Sequence, residues 1–117
     1  MSAELTDVVA VFITTPNKHE ATRIADILVT GGLAACVQVL PGVESVYRWQ
    51  GKVERQEEVL LIAKTLSSKF EELEREVRAL HCYEIPEIVA LPITLGSAQY
   101  LGWLKASVSA DAEPGQD

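Results

Sequence analysis

Basic side chains are scarce in this chain: ten lysines and arginines stand against seventeen aspartates and glutamates, a formal charge of −7. That balance disfavours binding to nucleic acid or an anionic membrane through a general positive field, and is compatible with cations as ligands. Long apolar runs are missing too, and none approaches the roughly 20 residues of a membrane span. Cysteine is limited to Cys36 and Cys82, on different expected elements, so no disulfide framework is available. The opening residues Met1 to Asp7 carry acid where a secretory peptide needs a basic start. There is no glycine-rich phosphate loop and no Ser-His-Asp constellation. Catalysis would rest on Cys82 with His81, and sequence neighbours rarely reach a productive nucleophile–base geometry. The expectation is a cytoplasmic, non-enzymatic protein with reduced thiols, no organic cofactor, and neither nucleic acid nor membrane as partner.

What is present suits one soluble domain. At 117 residues, 48% apolar and 23% charged, the chain can bury one two-layer core. Val8 to Thr15 is β-branched and almost continuously apolar, as in a strand buried on both faces. Asn17, with Glu20 three residues on, signals a helix start, and Ala21, Ile24, Ala25 and Leu28 give that helix its apolar face. Gly31-Gly32 supplies a stop that permits positive φ. Leu33 to Leu40 reads as a second buried strand ended by Pro41-Gly42, with Cys36 as a small core residue. Val43 to Gln50 alternates, Gln50-Gly51 is a hairpin turn, and the return strand runs from Lys52 to Lys64.

Ser67 or Ser68 is the expected cap of a second helix, with Phe70, Leu73, Val77 and Leu80 on one face. Ile88 to Leu95 is a strand whose Pro92 suggests an edge or a bulge. A short helix from Ala98 to about Ala106 turns Tyr100, Leu101 and Leu104 inward. Residues 1–108 thus form one domain, and 109–117 an acidic tail expected to be disordered. The order β-α-β-β-α-β plus a terminal helix is α+β, the ferredoxin-like split βαβ plan.

The hairpin is too long for its domain. A return strand of roughly 13 residues extends about 40 Å, against a diameter of roughly 35 Å for a compact domain of this size. Its tip carries Tyr47 and Trp49, rings costly to leave in water. Such an arm needs another subunit to cover it, so oligomerisation is expected, with Tyr47 and Trp49 at the interface.

The stretch Leu80-His81-Cys82-Tyr83-Glu84-Ile85-Pro86-Glu87-Ile88 gathers an imidazole, a thiol, a phenol and two carboxylates between a helix and a strand. Pro86 biases Ile85 towards extended backbone, so the helix ends before it. His81 beside Cys82 suits copper or zinc, with Glu84 as an oxygen ligand and further ligands from Glu57, Glu58 or another subunit. Lys64 could bring an ammonium to a cleft with Tyr83, Glu84 and Trp49, or simply pair with a surface carboxylate. His19 lies on an exposed helix face.

The segments LAACVQVLPGVESVYRWQGKVE, LLIAKT, HCYEIPEI and YLGWL closely resemble the CutA1, or divalent-cation-tolerance, family, over roughly Val8 to Val108. The resemblance implies a ferredoxin-like subunit similar to the PII signalling proteins, and a homotrimer in which long hairpins cross between subunits. It also implies a link to copper and other divalent metal ions. The chain departs from the family where Cys82 replaces the usual proline after the histidine. Some members carry a cysteine on the first strand and paired histidines; here Ile13 and the Leu80-His81 pair stand there. Two functions remain open from sequence: a divalent cation, Cu(2+) or another, at His81, Cys82 and Glu84, or a small metabolite in the intersubunit cleft near Lys64, Tyr83 and Trp49.

Overall fold

A computed structural model describes residues 7–109. In chain order the elements are β1 (Val8–Thr15), α1 (Lys18–Thr30), β2 (Cys36–Trp49), β3 (Lys52–Leu66), α2 (Phe70–Leu80), β4 (Ile88–Pro92) and α3 (Ala98–Ser109). The four strands form one antiparallel sheet in the order β2-β3-β1-β4. This is the expected split βαβ plan, with β2 and β4 at the two edges.

Alternation along the central strands decides what lies on each face. Val11 and Ile13 of β1 and Val59, Leu61 and Ala63 of β3 point to one side. There they pack with Ala21, Ile24 and Leu28 of α1 and Leu73 and Val77 of α2. The opposite face is covered only at one end, where Val8 packs with Leu104 and Val108 of α3. Among the described residues nothing covers the rest of that face. It carries Leu40, Val89 and Leu91, between 39% and 48% exposed.

The local signals act as their chemistry requires. The Asn17 side chain accepts from the Glu20 backbone N–H at 2.9 Å, supplying a partner that the first helical turn lacks. Gly32, at φ 75°, provides the positive φ that ends α1. Gln50 and Gly51 both have positive φ, 52° and 81°, joining Trp49 to its register partner Lys52 in a two-residue turn.

Several boundaries differ from expectation. Pro41-Gly42 does not end β2 but forms a bulge within it: the register steps from Leu40↔Leu60 to Val43↔Glu58, two residues against one. Proline offers no N–H to the ladder, and Gly42 accepts a φ of 82°. The bulge keeps Leu40 and Val43 on the same face, so the arm continues the sheet. β2 begins at Cys36, because Leu33 and Ala34 donate their N–H groups to the Leu28 carbonyl instead of a strand. Cys36 is half-buried on the open face opposite Lys64, not in the core. Residues 67–69 form a 3-10 turn, and neither serine caps α2 through its side chain.

β4 stops at Pro92, at a sheet edge, and α3 continues to Ser109. Residues 101, 104 and 108 form the inward stripe of α3, which leaves Tyr100 40% exposed beside it. The tail expected to be disordered lies outside the described residues beyond Ser109. Both cysteines are free, as expected.

Because the Asn17 cap is a local contribution, Asn17→Ala should lower stability by about 1 kcal/mol. Urea unfolding, read as a lower midpoint at unchanged slope, checks this.

Candidate functional site

The stretch from His81 to Glu87 forms a wall beside the base of the hairpin, and specific hydrogen bonds hold it there. Arg23 of α1 donates to the Leu80 carbonyl at 3.1 Å, satisfying one of the free acceptors at the end of α2. Its guanidinium also pairs with Glu20. His81 follows as the C-cap. Its Nδ1 accepts the Tyr83 backbone N–H at 3.1 Å, which puts the ring proton on Nε2. That Nε2–H donates to the Thr14 carbonyl at 2.7 Å, tying the stretch to the end of β1.

The wall brings Tyr83 against β3. Tyr47 donates its hydroxyl proton to Gln56 Oε1 at 2.8 Å, and Gln56 Nε2–H donates to the Tyr83 oxygen at 2.9 Å. Tyr83 in turn donates to Glu58 Oε2 at 2.7 Å. Glu58 is only 6% exposed, and its second oxygen has no partner among the described residues. Burial, and then the neighbouring Glu58 carboxylate, push the Tyr83 phenol well above its ordinary ionisation range. Tyr83 therefore stays a neutral donor.

Between wall and hairpin lies a cavity of about 490 Å³, lined by Tyr47, Trp49, Gln56, Glu58, Tyr83, Glu84 and Glu87 among others. Of the expected cleft residues, Tyr83, Glu84 and Trp49 meet here. Lys64 does not. It pairs with Ala10 and Cys36 at the far end of the sheet, its Nζ 5.6 Å from the centre of the Tyr100 ring. β3 carries Lys64 away from the hairpin: six residues from Glu58 is roughly 20 Å of strand. No lysine, arginine or histidine lines the cavity.

The expected metal ligands are placed differently again. Both His81 nitrogens are engaged, and Cys82 is exposed. Among the described residues no three His, Cys, Asp or Glu side chains are grouped to hold a metal ion. The described residues of one chain thus group no prebuilt metal centre. Gln56 and Thr14 were missed in the sequence. Gln56 was detectable in principle, since hairpin register sets it opposite Ser45, two positions from Tyr47 and Glu58; the Thr14 carbonyl left no side-chain signal.

The fold defines a ferredoxin-like subunit of the PII type. The profile described as CutA1 divalent ion tolerance protein matches residues 9–107, and the chain belongs to that family. The divalent-cation tolerance protein CutA of Thermus thermophilus is 50% identical over 95 residues, covering 81% of this chain and 92% of that protein. The chloroplastic protein CutA of Arabidopsis thaliana is 50% identical over 99 residues. That match covers 85% of this chain but only 54% of the plant protein, and 56% of the rice relative is spanned similarly. Among solved structures, the Thermus thermophilus protein superposes with a TM-score of 0.84 at 48% identity, covering 86% of this chain and 97% of that one. CutA1 from Oryza sativa gives 0.83 at 47%, covering 86% and 92%.

The Tyr83–Glu58 contact has a pH signature. The phenol is held protonated in the folded state, so its contribution to stability is complete below the ordinary phenol value of about 10 and is lost as pH rises above it. Absorbance at 295 nm should show one tyrosine ionising well after the others. Tyr83→Phe should abolish that late step; an unaltered titration would place the protected phenol elsewhere.

Proposed function

We propose that this chain acts as a homotrimeric, non-enzymatic binding protein for divalent cations, copper among them, in the cytoplasm. The observation that carries the reading is the exposed Cys82, two residues before Glu84 in a loop that borders a cleft lined by carboxylates and no basic side chain. The family's description as divalent ion tolerance proteins, shared in name by its bacterial relatives, agrees with divalent ions as ligands. Since one chain groups no complete ligand set, the reading gives Cys82 and Glu84 the first contact. His81 coordinates only after its ring leaves Thr14 or Tyr83, and a neighbouring subunit supplies what remains.

Assembly is supported by surfaces a monomer would leave wet. The radius of gyration is 15.3 Å, against about 13 Å for a compact domain of this length, because the arm projects. The edge strand β2 runs 14 residues, and the open sheet face carries Leu40, Val89 and Leu91. Sedimentation equilibrium should return a trimer at micromolar concentration, and a folded monomer would overturn the assembly. Trp49→Ala should weaken association by about 2 kcal/mol if the ring is a buried anchor.

For the cation, calorimetric titration of Cu(II) should show weaker binding in Cys82→Ser and Glu84→Gln, with His81→Ala run alongside. Affinity unchanged in all three would remove the metal site from this stretch. A second reading, a PII-like module for a small metabolite, is favoured by one observation: a cavity of about 490 Å³ is far larger than a bare ion needs.

A further inference from the structure

The direction of the hydrogen bonds in the cleft constrains the ligand of that second reading, on which this inference rests. The hydroxyl protons of Tyr47 and Tyr83 are both spent inside the protein, the first on Gln56 and the second on Glu58. One Gln56 amide proton is spent as well, on the Tyr83 oxygen. The relay runs towards Glu58 and ends there. The polar groups left in the lining are the second Glu58 oxygen, the carboxylates of Glu84 and Glu87 and the lone pairs of Tyr47 as acceptors, and the Thr14 and Ser45 hydroxyls, the Trp49 indole N–H and the second Gln56 amide proton as donors. Acceptors outnumber donors, and no side chain supplies positive charge.

A carboxylate oxygen on a residue only 6% exposed, without a partner among the described residues, carries a desolvation cost that a donor entering the cavity would offset. An anionic ligand meets three carboxylates in that lining and no positive charge. A bare metal ion meets no grouped set of three ligands among the described residues. Three aromatic rings, Tyr47, Trp49 and Tyr83, complete the wall. Ring faces attract organic cations, and guanidinium above all because it is the more weakly hydrated, while the carbon stem of an alkyl ammonium packs on them.

From this we infer that the cleft between the hairpin and the His81–Glu87 stretch binds an organic cation, an alkyl ammonium or guanidinium. Its N–H groups bond Glu58 while its carbon stem lies on Trp49 and Tyr47. The same group can arrive on a free small molecule or as a lysine or arginine side chain of a second copy of this chain.

The test uses the intact protein, with butylguanidinium and 1,4-diaminobutane as probes and inorganic phosphate and Mg(II) as contrasts. Calorimetry reads binding, and sedimentation reads assembly. Glu58→Gln is the main variant, because its amide carbonyl still accepts from Tyr83 and near-UV circular dichroism can confirm an intact fold. Trp49→Phe tests the ring. If the source is a free molecule, a cationic probe binds and loses about tenfold or more in affinity in Glu58→Gln. If the source is a second copy, no free probe binds and Glu58→Gln instead weakens association by a similar factor. Probe binding that is indifferent to Glu58, or phosphate binding that depends on Trp49, overturns the organic-cation assignment while leaving the cleft as a ligand site. Silence of every probe together with unchanged assembly in Glu58→Gln removes both the assignment and the cleft reading.

Discussion

One strand, β3, belongs to two structures at once. From Val59 to Leu66 it pairs with β1 in the core, and from Lys52 to Lys64 it pairs with β2 along the arm. Leu61 is buried beneath the helices, while Gln56 and Glu58, a few residues earlier on the same strand, line the cleft. A strand that continues from a close-packed core into an arm holds the arm's side chains at the rigidity of the core. The bulge at Pro41-Gly42 makes this possible. Without it, the residues of β2 beyond Leu40 would face the opposite side, and Tyr47 could not reach Gln56.

The core was legible because it is periodic. Every residue assigned to the apolar face of α1, namely Ala21, Ile24, Ala25 and Leu28, is buried, and Leu73 and Val77 of α2 are as well. The turn at Gln50-Gly51 was legible because it depends on local backbone geometry. Failures came where a neighbour decides the outcome. Leu33 to Leu40 reads as a strand buried on both faces, yet Gln38 and Leu40 are exposed, because no helix covers that end of the open face. Tyr100 looked like a core ring and lies outside, since the α3 stripe runs through residues 101, 104 and 108. Lys64 was assigned to the cleft through its position on an apolar strand, which says nothing about which end of the sheet it occupies.

His81 shows the same limit at the level of chemistry. An imidazole beside a thiol and near a carboxylate has the composition of a metal site, and sequence cannot show whether its lone pair is free. In the folded chain one nitrogen accepts a backbone N–H two residues away and the other donates to a carbonyl 67 residues away. Both partners are main-chain groups, invisible to any motif. The ring acts as a fastener that sets the position of Tyr83, and through it the occupancy of one Glu58 oxygen.

This division of labour separates the two candidate ligands physically. A metal ion at His81 competes with the bonds that hold the wall, because coordination requires a nitrogen that Thr14 or Tyr83 now engages. A cation in the cleft competes with nothing, because it meets acceptors that the protein has left open. Binding at the first place would therefore loosen Tyr83 from Glu58, whereas binding at the second would depend on Tyr83 staying there. If both ligands bind, the two events would oppose one another through a single backbone-anchored ring: an ion that displaces His81 would loosen the wall on which the cleft ligand rests.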